Sequence, residues 1–374
     1  MMRLRGSKRS KLACLCLFLG SSGMLECVHA KEPPRAAATD LDALRQVIAE
    51  KAESAKTVGD FTELIQQIQR VGDGENRAVK DKYCRETLAW AMNRRGEIYL
   101  KHATDQLAAG NEEESKRLDR LAMADFDASA NRDPQKWKAF HNRGTSYAVA
   151  GRRKEAIQDF SRVIELNPDY ANAWHNRAEI HFDSGEYAKA IRDYTESLNR
   201  DSENRTALLK RGQSKLKLGK ARAAIDDFDQ LIKLDEQQAS VYVERGEAKR
   251  ALGEWEGAAS DFRKAIQLDQ KLAYAYQRAA WLMATCPEER IRNAPLAIQA
   301  ARQAIELGEE TDFRNHDVLA AALANDGKFA EAGAEVQRAM DAAPEEAREN
   351  LKVRQELYQR EMPYREKVQT LAAK

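Results

Sequence analysis

The sequence predicts an all-α solenoid of repeated helix pairs, and three observations predict it. Gly144, Ala178, Gly212 and Gly246 lie 34 residues apart, as do Ala156, Ala190, Ala224 and Ala258, and as do Phe160, Tyr194, Phe228 and Phe262. Three residue classes held in one register through four successive stretches mark an internal repeat, and this period is that of a stacked helix hairpin. The third observation is a recurring turn: Gly185-Glu186-Tyr187, Gly253-Glu254-Trp255 and Gly327-Lys328-Phe329, with Gly59-Asp60-Phe61 as a distant version. Glycine takes the left-handed conformation that stops a first helix (A), and the aromatic packs where the second (B) begins.

Taken in order, residues 1–30 predict an export signal. Arg3, Arg5, Lys8, Arg9 and Lys11 form a basic leader, an apolar run extends from Leu12 to Leu19 and weakly on to Leu25, and Val28-His29-Ala30 offers small residues at a cleavage spacing. Gly20-Ser21-Ser22-Gly23 interrupts the run, which falls short of the ~20 apolar residues of a membrane helix. The expectation is a cleaved signal, and the alternative is an uncleaved anchor. Cys27 does not make a lipid-attachment site, because Glu26 precedes it where a small residue is wanted. Residues 31–40 are a flexible lead-in.

Residues 41–134 hold two divergent helix pairs. The first spans 41–75, with Lys51-Ala52 in helix A and Phe61, Leu64, Ile68 and Val71 at helical spacing in helix B. The second, from about 82 to 134, has Arg95-Gly96 and Tyr99 in helix A and Asp125-Phe126 in helix B, with about fourteen extra residues around Gly110-Asn111. These mean either longer helices or a looped turn. Four regular pairs follow at 137–170, 171–204, 205–238 and 239–272. Asn167-Pro168 closes the first of them, since a helix ends before such a proline. Residues 273–346 are two further divergent pairs, the earlier carrying about five extra residues around Cys286-Pro287-Glu288-Glu289. Residues 347–374 form a charged capping helix and tail, with Leu351, Leu357, Tyr358 and Met362 as its apolar stripe. A solenoid needs such a polar-backed helix to cover its last exposed face.

The arrangement resembles the tetratricopeptide-repeat family, strongly over about 85–346 and weakly over 41–84. The family pattern of a large residue, a small residue four later and an aromatic three after that is met by Trp174, Ala178 and His181, and by Tyr242, Gly246 and Lys249. His181, Lys215 and Lys249 depart from the aromatic. Asn142-Arg143-Gly144 and the stretch LYQREMPYRE at 357–366 look like those of exported bacterial repeat proteins. The resemblance implies a right-handed superhelix of about eight helix pairs plus the capping helix. It also implies a protein-binding scaffold without intrinsic catalysis, whose A helices line a concave groove, exported to the periplasm or envelope of a bacterium.

Composition agrees with this. Lys+Arg is 61 against Asp+Glu at 60, a balance that argues against nucleic acid. Cys84 and Cys286 lie several repeats apart, too far for a disulfide in a solenoid. No CxxC or Cys/His cluster suggests a metal. No GxSxG, P-loop, HExxH or kinase set appears, so no enzyme activity and no cofactor are expected.

Two constellations stand out. An Arg precedes the small residue of helix A at Arg95, Arg143, Arg177, Arg211 and Arg245, and in the same five pairs an Asp precedes the aromatic of helix B at Asp125, Asp159, Asp193, Asp227 and Asp261. Where one is lost, so is the other, as at Ala279 with Ala300 and Leu319 with Glu335. This predicts ion pairs between helices A and B of one repeat. The second constellation is a polar stripe on helix A: His141, Asn142, His175, Asn176, Glu179 and Lys210, with Thr145 continuing the face. It predicts a groove for a partner peptide or protein. The carboxylate clamp of chaperone-tail binders is not reproduced, because His and Thr stand where its first Lys and Asn would be. Nor do the two His make a metal site: equivalent positions on stacked helices lie ~9–10 Å apart, with no carboxylate or thiol set to complete one. The expected function is a protein-interaction scaffold, and the alternative is the recruiting subunit of an envelope-polymer or glycan-processing transferase system.

Overall fold

Buried positions recur three and four residues apart along most of the chain, and helices form wherever they do. A computed structural model describes residues 40–73, 82–308 and 312–367, and among them there are seventeen α-helices, one short 3-10 turn and no strand. The expected signal and most of the lead-in lie outside the described residues. No helix among the described residues is long and apolar enough to cross a membrane.

The chain divides into two compact units at Asp183 and Ser184. The first holds α1 (Asp40–Ser54), α2 (Val58–Asp73), α3 (Lys82–Ala108), α4 (Glu112–Arg132), α5 (Trp137–Val149), α6 (Arg153–Leu166) and α7 (Ala171–Asp183). The second holds α8 (Tyr187–Arg200), α9 (Arg205–Lys217), α10 (Ala221–Leu234), α11 (Ala239–Ala251), α12 (Trp255–Leu268) and α13 (Ala273–Thr285). It continues with α14 (Ala294–Leu307), α15 (Phe313–Asn325), α16 (Phe329–Ala342) and α17 (Glu345–Gln359).

The helix pairs are made by local chemistry. In α10, Ala221, Ala224, Ile225, Phe228 and Leu231 are buried at i, i+3, i+4, i+7 and i+10, one face of a helix. Gly253 ends α11 at φ 76°, which lets its own N–H reach the Arg250 carbonyl at 3.0 Å and the Glu254 N–H reach Lys249 at 2.9 Å. The B helices stop at a second device. Asp235 and Asp269 donate their N–H groups back to Leu231 and Ala265, and their carboxylates accept the N–H groups of Gln237 and Lys271 at 3.0 and 2.9 Å. Asp133, Asn167 and Asp201 hold the equivalent places at 34-residue spacing.

The aromatic of helix B fills the space between paired helices. Phe126 and Phe160 in the first unit, and Tyr194, Phe228 and Phe262 in the second, are fully buried. The small residue of helix A is what admits that ring: a Cβ on Gly246 would lie 2.5 Å from Phe262 Cε1.

The two sets of extra residues resolve differently. Those of the second pair lengthen its helices, to 27 residues in α3 and 21 in α4, joined by a tight turn. Those after Cys286 form the 3-10 turn Glu289–Ile291, followed by Asn293, which caps α14 by accepting the Leu296 N–H at 3.1 Å.

In α17, Leu351 and Tyr358 are buried against Val318, Leu323, Ala332 and Val336 of α15 and α16. The expected stripe is narrower than its four residues: Leu357 is half-buried and Met362 is 42% exposed. Met362 leaves the helix face because the chain turns at Glu361, whose φ is 54°. The Glu361 N–H bonds the Tyr358 carbonyl at 3.0 Å and the Met362 N–H bonds that of Leu357 at 2.9 Å, a Schellman turn that redirects the following residues.

Candidate functional site

The Arg and Asp residues come together as follows. In the first unit, Arg95 Nε and Nη2 each donate to Asp125 at 2.8 Å, and Arg143 Nε and Nη2 donate to Asp159 at 2.8 and 2.7 Å. In the second, Arg211 makes the same pair of bonds to Asp227 at 3.1 and 2.7 Å, and Arg245 to Asp261 at 2.9 and 2.6 Å. Such forks join planar groups in one geometry. The aspartate bonds hold Arg143 and Arg245 above the ordinary arginine range.

The third guanidinium nitrogen does something the sequence reading did not anticipate. Arg143 Nη1 reaches Asp127 at 3.0 Å, Arg177 Nη1 reaches Ser161 at 2.8 Å, Arg211 Nη1 reaches Thr195 at 3.2 Å and Arg245 Nη1 reaches Asp229. These acceptors directly follow the B-helix aromatic of the preceding repeat. Arg143, Arg211 and Arg245 therefore serve the preceding repeat as well as their own. The signal was present, since Asp127, Ser161, Thr195 and Asp229 keep the 34-residue spacing. Asp193 is buried in the second unit.

The predicted stripe divides by depth. In α5, His141 and Asn142 are buried. Asn142 Nδ2 donates to Asn93 Oδ1 and Glu97 Oε1 of α3, both at 3.0 Å, and Asn93 Nδ2 donates to the same Glu97 oxygen at 2.8 Å. His141 lies between Phe160 and Tyr170, with ring centroids at 5.9 and 5.0 Å, and burial lowers its pKa to about 4, so it stays neutral. In α7, Asn176 is buried, while His175 and Glu179 are half-buried with Nε2 and Oε1 3.9 Å apart. Lys210 is half-buried in α9 of the second unit. His141, Asn142 and Asn176 are thus spent largely inside the helix stack, and His175, Glu179 and Lys210 are the accessible members.

A site absent from the sequence reading lies on the A-helix face of the second unit. Beyond Glu361 the chain runs without regular secondary structure over α13 and α15. The Tyr364 ring lies 5.8 Å from that of Trp281. Arg365 donates to the Ala284 carbonyl at 3.1 Å and to Asn325 Oδ1 at 2.9 Å. The Glu366 N–H donates to the Thr285 carbonyl at 2.8 Å, and its carboxylate pairs with Arg250 of α11. Arg354 of α17 clamps the segment from outside. It forms two 2.7 Å bonds to Asp317 and lies 5.5 Å from both the Trp281 and Tyr364 rings.

The family model described as tetratricopeptide repeat matches residues 141–204 and 209–273. Residues 141–204 and 209–273 are tetratricopeptide repeats. A tetratricopeptide repeat protein from Parabacteroides merdae ATCC 43184 superposes with a TM-score of 0.52 at 17% identity, over 71% of this chain and 98% of that one. The Cut9-Hcn1 hetero-tetramer of the APC/C does so with 0.50 at 16% identity, over 87% of this chain and 57% of that one. At such identities the likeness is one of fold. No curated protein matches the chain.

Two departures from the tetratricopeptide pattern now have a physical account. Lys215 and Lys249 replace an aromatic, and their ammonium groups lie 2.7 and 2.8 Å from the second carboxylate oxygens of Asp227 and Asp261. Their charges join the ladder. The tetratricopeptide-repeat fold suggests a protein–protein interaction scaffold.

Proposed function

We propose that this chain is a non-catalytic scaffold that holds an extended segment of a partner protein along its A-helix faces. One observation carries the reading: in the second unit, that face already holds a non-helical stretch of chain through aromatic contact, charge pairing and a backbone hydrogen bond. A surface that grips one non-helical segment has the features needed to grip another. The accessible stripe residues His175, Glu179 and Lys210 add polar and charged contacts of the kind found at interface rims. The basic leader and apolar run of residues 1–30 support an exported scaffold that works in the periplasm or envelope.

Site-specific photocrosslinking tests the reading. A crosslinker at Lys217 of α9 should capture a partner from extracts of the native host, whereas one at Asp226 or Gln230 of α10 should not. All three side chains are exposed. Capture from α10 but not from α9 would move the interface to the B helices.

A further inference from the structure

The end of α13 is built unlike those of the neighbouring A helices. The last four carbonyls of a helix lack partners within it. In α11, Lys249 and Arg250 are served by the N–H groups of Glu254 and Gly253, through the left-handed glycine. Cys286-Pro287 replaces that glycine after α13. The Leu282 carbonyl there takes the Cys286 N–H at 3.1 Å, and Met283 takes the Asn293 N–H at 3.0 Å. Ala284 and Thr285 take Arg365 and the Glu366 N–H. Two helix-terminal carbonyls therefore depend on a segment arriving from 81 residues away, which presents a guanidinium and a backbone N–H.

The rest of the cradle matches the same segment. Trp281 and Arg354 form a platform for an aromatic ring, Asn325 accepts from a cation, and Arg250 meets a carboxylate. Arg250 is itself held by Glu247 through Nε and Nη2, both at 3.1 Å. Glu366 Oε2 is buried with no hydrogen-bond partner, so the groove does not satisfy every polar atom of the segment. The segment is also held at a cost, because Glu361 adopts a left-handed conformation that a non-glycine residue disfavours.

We propose that the groove of α11, α13 and α15 is a binding site for extended peptides that present an aromatic, an arginine and an acidic residue in succession. Tyr364-Arg365-Glu366 is its resident occupant, and a partner segment of this chemistry enters by displacing it. This rests on the A-helix face being the interaction surface. A tethered competitor lowers apparent affinity by the fraction of time the groove is free, so occupancy by the chain's own segment sets the threshold for partner binding.

Fluorescence anisotropy on the full chain tests this, with a fluorescein-labelled peptide of residues 361–367 as probe. The Tyr364→Ala/Arg365→Ala/Glu366→Ala variant should bind the probe about tenfold or more tighter than the parent, and adding Arg250→Ala should abolish the gain. A folded triple variant that binds no tighter than the parent overturns the proposal. Should the triple variant fail to fold, hydrogen exchange on the unaltered chain decides. The Glu366 amide should be protected, and excess probe should accelerate its exchange; an unprotected or unresponsive amide overturns the proposal. Failure here with partner capture at Lys217 intact refutes this groove alone, whereas capture only from α10 refutes the underlying reading.

Discussion

Arg245 clasps Asp261 with two parallel hydrogen bonds, Nε to Oδ2 at 2.9 Å and Nη2 to Oδ1 at 2.6 Å, while Lys249 approaches the same carboxylate at 2.8 Å. The Asp261 side chain is 5% exposed and that of Arg245 18%, so removing one partner strands a largely buried charge. Asp261→Ala should cost about 3–5 kcal/mol. The Arg245→Ala/Asp261→Ala double variant should cost less than the sum of the single changes. Denaturant unfolding of the four proteins gives the coupling energy, and a value near zero would reject a cooperative clasp.

Gly246→Ala should destabilise. The added methyl would meet Phe262 at 2.5 Å, an overpacking that costs about 1–3 kcal/mol and outweighs a helix-propensity gain of about 1 kcal/mol. Gly144→Ala should be milder, because its nearest contacts would lie at 3.1 Å. Equal thermal shifts for the two variants would argue against ring contact as the reason for the small residue.

Glu361→Gly should stabilise the chain by about 1 kcal/mol, because φ 54° is strained for a side chain and free for glycine. The melting temperature is the readout, and a decrease would show that Glu361 contributes contacts exceeding the strain.

His141 makes stability depend on pH. Its folded pKa is lowered to about 4 by burial from an ordinary 6.5. The unfolded chain therefore binds the proton first, and stability is full above about 6.5 and falls as pH drops toward 4. The shift corresponds to a loss of about 3 kcal/mol at most. His141→Gln should flatten the pH dependence of the melt in that window. An unchanged slope would assign the acid sensitivity to other groups.

Protein purified from its native host should begin near Lys31, given the basic leader and the small residues ending at Ala30. Intact-mass measurement checks this, and retention of residues 1–30 would leave the uncleaved-anchor alternative.

The sequence by itself determined the repeat, the helix pairs and the partners in the clasps of Arg95, Arg143, Arg211 and Arg245. These follow from contacts between residues a fixed 16 apart in the regular repeats, repeated at a 34-residue period, so chain order alone sets which side chains meet. Tertiary structure decided how deep each polar residue lies. His141 and Asn142 look like groove residues in one dimension, yet Phe160, Tyr170, Asn93 and Glu97 close over them. It also decided that the extra residues of the second pair lengthen α3 and α4, since helix and loop are equally compatible with that polar stretch. Most of all it decided the course of residues 362–367. Arg250 and Glu366 are 116 residues apart and belong to no period. Their meeting depends on a turn at Glu361 and on two carbonyls that a missing glycine leaves open, and neither has a repeating signature along the chain.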